Sequence, residues 1–319
     1  MKRYIRLISL LCFAVLLCGC TAAVPSQNEL PPRENPITPV AEAPDALRTD
    51  AEVMLYFRYA DQPYLAQEVR TVTQLPSQAW EQTLINALLS GPETHSSRLT
   101  PLFPEGTRLI STSREGRTLF VTFSDEIMNG YSDEPASWQN DARLAQEIPL
   151  RRKLCMQSLV ATVTENSDID RVQVFVEQSA AASSQRLPQA YFKTTESDTP
   201  APPLTRDGSV LLTPDNTVQA MIRAWLTQDW STLYCYLPED GSHLDLRSFT
   251  DTMEALPRLI DCTASSGSIS ADGQPASFAL SATVADGQSS RTESGMLRLT
   301  RSGAVWCATL PQLTGWLEE

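Results

Sequence analysis

Residues 104–123 read PEGTRLISTSREGRTLFVTF, and this stretch carries the clearest fold signal of the chain. The pair Glu115-Gly116 separates two runs of strand-forming residues, as in a β-hairpin. In the second run, residues 118–123, the apolar residues at 119, 121 and 123 recur at every second position, which is typical of a strand with one buried face. We therefore expect two antiparallel strands here.

Further strands and helices surround this hairpin in a regular order. Residues 53–59 and 64–73 are predicted strands, and residues 77–90 a helix with a single apolar stripe. Pro149 is predicted to open a second helix at its first position, and residues 170–177 form a last strand. The order β, β, α, β, β, α, β predicts an α+β domain in which a mixed sheet has helices on one face.

Five short motifs of this region resemble, in their order, the GerMN domain of sporulation and spore-germination proteins. They are LYF at 55–57, ALLSGPE at 87–93, PEGT at 104–107, LFVTFS at 119–124 and VQV at 172–174. The resemblance covers residues 51–178 and ends at Gln178-Ser179, where the family usually has a glycine-containing turn. It implies a non-catalytic module of envelope lipoproteins that docks or assembles, including as a homo-oligomer, and it carries over no active-site residue.

The N-terminus has the features of a bacterial lipoprotein signal peptide, residues 1–19. A basic segment precedes an apolar run at residues 7–17, which is shorter than the roughly 20 residues that span a bilayer. Leu17, Gly19 and Cys20 then resemble the lipobox, in which the cysteine receives a diacylglyceryl group with fatty acids such as palmitate. We predict lipidation at Cys20 and an extracytoplasmic location on the cell membrane; the alternative is an ordinary secretory signal.

Two segments have the composition of spacers. Residues 20–50 are rich in proline and lack apolar periodicity, so they are predicted to be a lipidated tether. Residues 179–209 are rich in Ser, Ala and Gln and then in Thr and Pro, which predicts a linker. A second domain would follow at residues 210–319.

This C-terminal domain is also predicted to be α+β. Thr213 can cap a helix that starts at Pro214, and a second short helix is expected at residues 246–256. Four strand-like runs follow between residues 259 and 310. Helices followed by an antiparallel sheet resemble the NTF2-like fold, and that resemblance implies a pocket. A small-ligand sensor that acts through this pocket is therefore one alternative function.

The charge of the chain excludes one class of partner. It contains 38 acidic and 25 basic residues, a net charge of −13. Removal of residues 1–19 leaves 22 basic residues against the same 38 acidic ones, so the mature chain has a charge of −16. Nucleic acid needs a basic surface and is therefore not expected as a partner. The expected partners are the membrane through Cys20, envelope or sporulation proteins, and peptidoglycan.

Recognisable catalytic motifs are absent from the sequence. It has no phosphate-binding or dinucleotide glycine motif, no G-x-S-x-G elbow, no S-x-x-K and no H-E-x-x-H. We therefore predict no catalytic residue, no cofactor and no metal ligand. His95 and His243 lie in polar loops and are expected to be exposed.

The mature cysteines beyond Cys20 lack the spacing of a zinc site. They are Cys155, Cys235, Cys262 and Cys307. One disulfide among the last three and buried free thiols both remain open, because an envelope location permits either state.

An enzyme is the main alternative to a binding module. Adjacent acids occur at Asp125-Glu126, Asp133-Glu134 and Glu239-Asp240, and such pairs could act as acid and base in cleaving a cell-wall glycan. Acids in loops are more often solvated turns. Three tryptophans, Trp80, Trp225 and Trp230, lie on amphipathic stripes and are expected in the core. Trp316 is the better candidate for an exposed contact.

Overall fold

The computed structural model describes residues 48–93, 98–177, 183–239, 244–265, 267–269, 275–286, 289–303 and 305–317. All of them belong to one compact unit, Ala43–Glu319. The predicted signal peptide, Cys20, most of the tether, His95 and His243 lie outside the described residues. Among the described helices, none has the length and apolar character to cross a membrane.

The first module, residues 49–204, contains the seven predicted helices and strands in the predicted order and two further strands of two residues each. Its elements are β1 (Thr49–Tyr59), β2 (Leu65–Gln74), α1 (Trp80–Leu89), β3 (Leu99–Thr100), β4 (Leu109–Glu115), β5 (Thr118–Phe123), α2 (Leu144–Asn166), β6 (Arg171–Val176) and β7 (Gln185–Arg186). They form two sheets where one was expected, in the orders β2-β1-β3 and β4-β5-β6-β7. The second sheet is mixed, because α2 crosses over and returns the chain to a strand, β6, that is parallel to β5.

Helix α2 begins before the predicted position. It starts at Leu144, and Pro149 lies inside it. The carboxylate of Asp141 accepts the N–H groups of Arg143 and Leu144 at 2.9 and 3.0 Å and so satisfies the first turn. A proline in the second turn removes only one N–H donor, and the helix continues through it.

A polar stripe on α2 covers an open edge of β1. Ser158, Thr162 and Asn166 recur at every fourth residue and therefore share one face. Ser158 donates to the carbonyl of Tyr56, whose N–H donates to Thr162 at 3.2 Å. Asn166 accepts the N–H of Met54 at 2.9 Å and donates to its carbonyl at 2.8 Å. Since β3 pairs with only the last two residues of β1, the helix satisfies backbone groups that a strand would otherwise satisfy.

The second module, residues 210–317, places helices before an antiparallel sheet, as predicted. Its elements are α3 (Pro214–Leu226), α4 (Trp230–Tyr234), α5 (Leu246–Glu254), β8 (Leu259–Ala264), β9 (Ser268–Ile269), β10 (Ala276–Asp286), β11 (Ser289–Ser302), β12 (Val305–Cys307) and α6 (Leu310–Thr314). The sheet order is β12-β11-β10-β8, and β9 pairs with β10. Thr213, Asp229 and Asp245 cap α3, α4 and α5 with side-chain oxygens. The α+β, two-module fold class is therefore confirmed.

Trp316 is buried, with 7% of its surface exposed, so the expectation of an exposed contact was wrong. Its ring lies 6.0 Å from that of Trp225 on the inner face of the sheet. A Cβ atom on Gly295 of β11 would lie 2.3 Å from the Cβ of Trp316. The tryptophan therefore packs where a glycine leaves room for it, which fills this face with side chains.

Most of the predicted linker belongs to the folded structure. Although residues 179–209 have the composition of a linker, their described part, residues 183–209, contains β7 and buries Leu187 and Tyr191. The N–H of Leu212 donates to the carbonyl of Leu65 at 2.9 Å. The buried apolar residues of both modules belong to one continuous core.

Candidate functional site

A surface cleft lies beside the carboxyl ends of β5 and β6, the parallel strands of the mixed sheet. We name it the β5–β6 cleft; its volume is about 850 Å³. The lining residues are Asp125, Met128, Val176, Gln185, Arg186, Pro188, Asp198 and Pro200. Parallel strands fix the positions of the residues that follow them, which is why their carboxyl ends often hold ligands.

One wall of the cleft is the turn that follows β5. The buried hydroxyl of Ser124 accepts the N–H of Arg108 at 3.0 Å, and the N–H of Ser124 donates to the carbonyl of Arg108 at 3.0 Å. A 3-10 turn, Asp125–Met128, comes next, and its residue Ile127 is fully buried. The wall therefore presents its two ends to the cleft while its middle is anchored in the core.

Arg152 of α2 holds the same turn from the protein interior. Its side chain is fully buried; it donates to the carbonyl of Ile127 at 3.0 Å and to that of Asn129. The rings of Tyr131 and Tyr191 lie 4.8 and 5.0 Å from its guanidinium carbon. A buried cation is costly unless it is well hydrogen-bonded, so these contacts keep the turn in one position.

The opposite wall comes from the segment after β6. The N–H of Leu187 donates to the carbonyl of Val174 at 2.9 Å, and the carbonyl of Leu187 accepts the N–H of Ala201 at 2.8 Å. These bonds bring Arg186 and Asp198 to the same cleft. Sequence reasoning missed both residues because a Pro- and Ser-rich composition gives no periodicity from which to infer packing.

Charges of both signs line the cleft. Asp125, Arg186 and Asp198 are exposed, and within the part of the chain that the structure describes none of them has an ion-pair partner. Nearby acids differ, since Glu126 and Asp133 each pair with an arginine. The cleft therefore offers two carboxylates and one guanidinium that have no ion-pair partner among the described residues.

The two acids of the first predicted pair, Asp125-Glu126, have different surroundings. Asp125 lines the cleft, whereas Glu126 lies 3.2 Å from Arg108. A hydrogen bond from Ser124, followed by a backbone bond and the charge of Arg108, lowers the pKa of Glu126. A glycosidase needs the opposite for its general acid, a carboxyl with a raised pKa.

The second pair, Asp133-Glu134, is engaged by arginines. Arg151 donates to Asp133 at 2.6 and 3.0 Å, and this bonding lowers the pKa of Asp133. Glu134 is buried and lies 3.6 Å from Arg152. Both acids are therefore held in ion pairs: Asp133 is exposed but bonded to Arg151, and the side chain of Glu134 is buried.

The third pair, Glu239-Asp240, is described only at its first residue. Glu239 lies 2.8 Å from the guanidinium of Arg98, which also donates to the carbonyls of Cys235 and Leu237. This acid therefore belongs to a contact between the two modules.

The described cysteines are free thiols. Cys155, Cys262 and Cys307 are buried and Cys235 is half-buried. Burial raises the pKa of Cys155 to about 12 and that of Cys262 to about 11, which makes both unreactive. Among the described residues, no group of His, Cys, Asp and Glu has the arrangement of a metal site.

Comparison with known proteins identifies one part of the chain. Residues 54–181 match the family model Germane, described as sporulation and spore germination, and this confirms the GerMN resemblance. The matched range contributes Asp125, Met128 and Val176 to the cleft, whereas Arg186 and Asp198 lie beyond it. No curated protein matches the chain.

Three solved structures are similar to parts of the chain. A candidate lipoprotein from Clostridium perfringens is 18% identical, with 44% of this chain and 88% of that chain covered and a TM-score of 0.25. The first GerMN domain of the Bacillus subtilis sporulation protein GerM is 20% identical over 49% and 98%, with a TM-score of 0.31. Its tandem GerMN domains are 15% identical over 79% and 61%, with a TM-score of 0.34.

Proposed function

We propose that the chain is a non-catalytic, membrane-anchored lipoprotein that binds or positions envelope or sporulation components. The match of residues 54–181 to a family described by sporulation and spore germination carries this proposal. The proposed anchor is a lipid on Cys20, and the proline-rich residues after it would hold the folded modules away from the membrane surface.

The chemistry of the acids favours binding over glycan hydrolysis. Glu126 and Asp133, one from each of two predicted acid pairs, have lowered pKa values and arginine partners. The acids that line the cleft, Asp125 and Asp198, are exposed to solvent and suit charge recognition better than proton donation.

Lipidation can be tested by metabolic labelling of the full chain with an alkyne analogue of palmitate. Cys20→Ala should abolish the label and release the chain from the membrane fraction. Cys18→Ala is the matched control, since it removes the other cysteine of the same segment, and it should keep the label. Labelling that depends on Cys18, or membrane retention without Cys20, would contradict the anchor.

Partner binding can be tested with a tagged chain of residues 21–319 and solubilised envelopes. Deleting residues 51–178 would be an ambiguous control, because the two modules share one core. Untagged residues 43–319, which contain the whole compact unit, should instead compete with the tagged chain for an envelope or sporulation protein. Recovery of a second copy of the chain would identify self-assembly as the mode of action.

The rival enzyme hypothesis has its own readout. Purified residues 21–319 should release no soluble muropeptides from peptidoglycan. Release that stops on Asp125→Asn or Asp133→Asn would overturn the non-catalytic proposal.

A further inference from the structure

We propose that the β5–β6 cleft binds a short peptide that carries both an ammonium group and a free carboxylate, as the peptide stems of peptidoglycan do. The choice of stems rests on the proposed envelope location. The recognition chemistry rests on the cleft itself, which has carboxylates at Asp125 and Asp198 and a guanidinium at Arg186.

The charges of the cleft select a ligand with both signs. A carboxylate ligand would bind Arg186 but be repelled by the two acids, and a simple amine would leave Arg186 without a partner. A zwitterionic peptide can pair with all three groups, because the guanidinium binds a carboxylate in a forked geometry and the acids accept from an ammonium group.

The apolar part of the lining suits a peptide better than a sugar. Met128, Val176, Pro188 and Pro200 provide aliphatic surface for the methylene and methyl groups of short side chains. The described lining residues include no aromatic ring on which a sugar could stack. The peptide part of the wall polymer is therefore favoured over its glycan part.

Size and preorganisation agree with a ligand of a few residues. The cleft volume of about 850 Å³ lies within the roughly 300–1,000 Å³ range of ligand sites. Arg152 fixes one wall through the carbonyls of Ile127 and Asn129, so binding requires little further ordering there. A peptide stem is only a few residues long and carries both an amine and a carboxylate. The tail of a protein carries both groups only if its sequence happens to supply them.

The probe is α-acetyl-Lys-D-Ala-D-Ala, with a free side-chain amine and a free terminal carboxylate, titrated into ¹⁵N-labelled residues 43–319 and followed by NMR. We expect weak, salt-sensitive binding with a Kd on the order of 1 mM. The amide shifts should change most at residues 125–128, 185–186 and 198–200.

Matched peptides and variants assign each charge. Arg186→Gln and Asp198→Asn should each weaken binding about twofold to fivefold, as expected for exposed charge pairs. Arg186→Gln should also bind the peptide with a free terminal carboxylate no better than the same peptide with a terminal amide. Asp198→Asn should bind the lysine peptide no better than the peptide in which the side-chain amine is acetylated. The control variants Arg298→Gln and Asp261→Asn, exposed residues of the second module, should bind as the original chain does.

Three results would overturn the inference. They are absence of saturable shifts in the cleft, equal weakening by Arg186→Gln and Arg298→Gln, and equal or tighter binding of the all-L peptide, which would assign the cleft to a protein tail. None of these results bears on lipidation at Cys20 or on capture of an envelope partner, which are measured separately. The proposed ligand can therefore be wrong while the proposed function holds, and the reverse.

Discussion

The two modules stabilise their interiors in different ways. The first module buries three arginines, whereas the buried polar residues described in the second are Thr217 and Thr314. The second instead packs Trp225 against Trp316, which lies directly over Gly295. The buried arginines are Arg58, Arg70 and Arg152, with exposed fractions of 2%, 9% and 0%.

Each buried arginine bonds to backbone carbonyls in a turn or at the end of a helix. The carbonyl acceptors are Asp61 and Gln62 for Arg58, Ala87 and Gly91 for Arg70, and Ile127 and Asn129 for Arg152. The second module satisfies its helix starts with surface caps, which need no interior charge. The comparison indicates that interior cations order the turns of the first module, including one wall of the cleft.

Arg152→Met is expected to have the largest effect, because it leaves the carbonyls of Ile127 and Asn129 unsatisfied in the interior. We expect a loss of about 3 kcal/mol in the free energy of unfolding, measured with urea. Arg117→Met is the control, since Arg117 forms an exposed pair with Asp170, and should cost less than about 1 kcal/mol. Equal costs would contradict the role given to buried arginines in the first module.

Gly295→Ala tests the aromatic packing of the second module. The added methyl group would collide with Trp316, and we expect a loss of about 1–3 kcal/mol with altered tryptophan fluorescence. Gly208→Ala meets no atom within 4 Å and should leave both measurements nearly unchanged. Tolerance of Gly295→Ala would mean that the packing of Trp316 is looser than described.

Thr162→Val tests the polar stripe that joins α2 to β1. It removes the oxygen that accepts the N–H of Tyr56, at a cost of about 1–2 kcal/mol, and should speed amide exchange at Tyr56. Thr164→Val is the control, because its hydroxyl bonds only within the helix. Unchanged exchange at Tyr56 would show that water or another group satisfies this edge.

The smallest effect is expected from the partly exposed ion pair of Lys153 and Asp207, which joins α2 to the segment that follows the first module. Bonding from Lys153, then from Ser209, lowers the pKa of Asp207 to about 2. Its stabilisation is therefore present above the unfolded pKa of about 3.9 and is lost as pH falls through about 2. Because solvent screens the pair, Asp207→Asn should lower the free energy of unfolding by at most about 1 kcal/mol at pH 7. In the variant, that free energy should also fall less steeply as the pH drops from about 3.9 to about 2. If the variant shows the same dependence of stability on pH in this range, Asp207 does not stabilise the fold through this ion pair.

The sequence predicted regular elements better than their edges. Strand alternation placed β5 and β8 at their observed bounds, and Thr213 correctly marked the start of α3. The start of α2 was predicted too late, at Pro149. The side chain of Asp141 bonds the first turn, and the conformation of the preceding loop, which gives no sequence signal, puts it there. Trp316 was misplaced because its burial depends on Gly295, a residue that is distant from it in sequence.

The candidate site was predicted only in part. Asp125 was identified as one acid of a pair, but the other acid that lines the cleft is Asp198, and Glu126 pairs with Arg108. Arg186 gave no signal, since an isolated arginine in a Ser- and Pro-rich stretch is ordinarily a solvated surface residue. Only backbone bonding around Leu187 brings these side chains together.

By itself, the sequence determined the α+β class, the order of the elements, the GerMN resemblance and the expectation of a lipid at Cys20. These follow from periodicity, caps and short motifs, which are local along the chain. The tertiary structure alone decided that the first module has two sheets, that residues 183–209 pack against it, and that charges from two distant segments share one cleft. The physical reason is that burial and pairing depend on which surfaces meet, and contacts between residues distant in sequence leave no periodic trace in it.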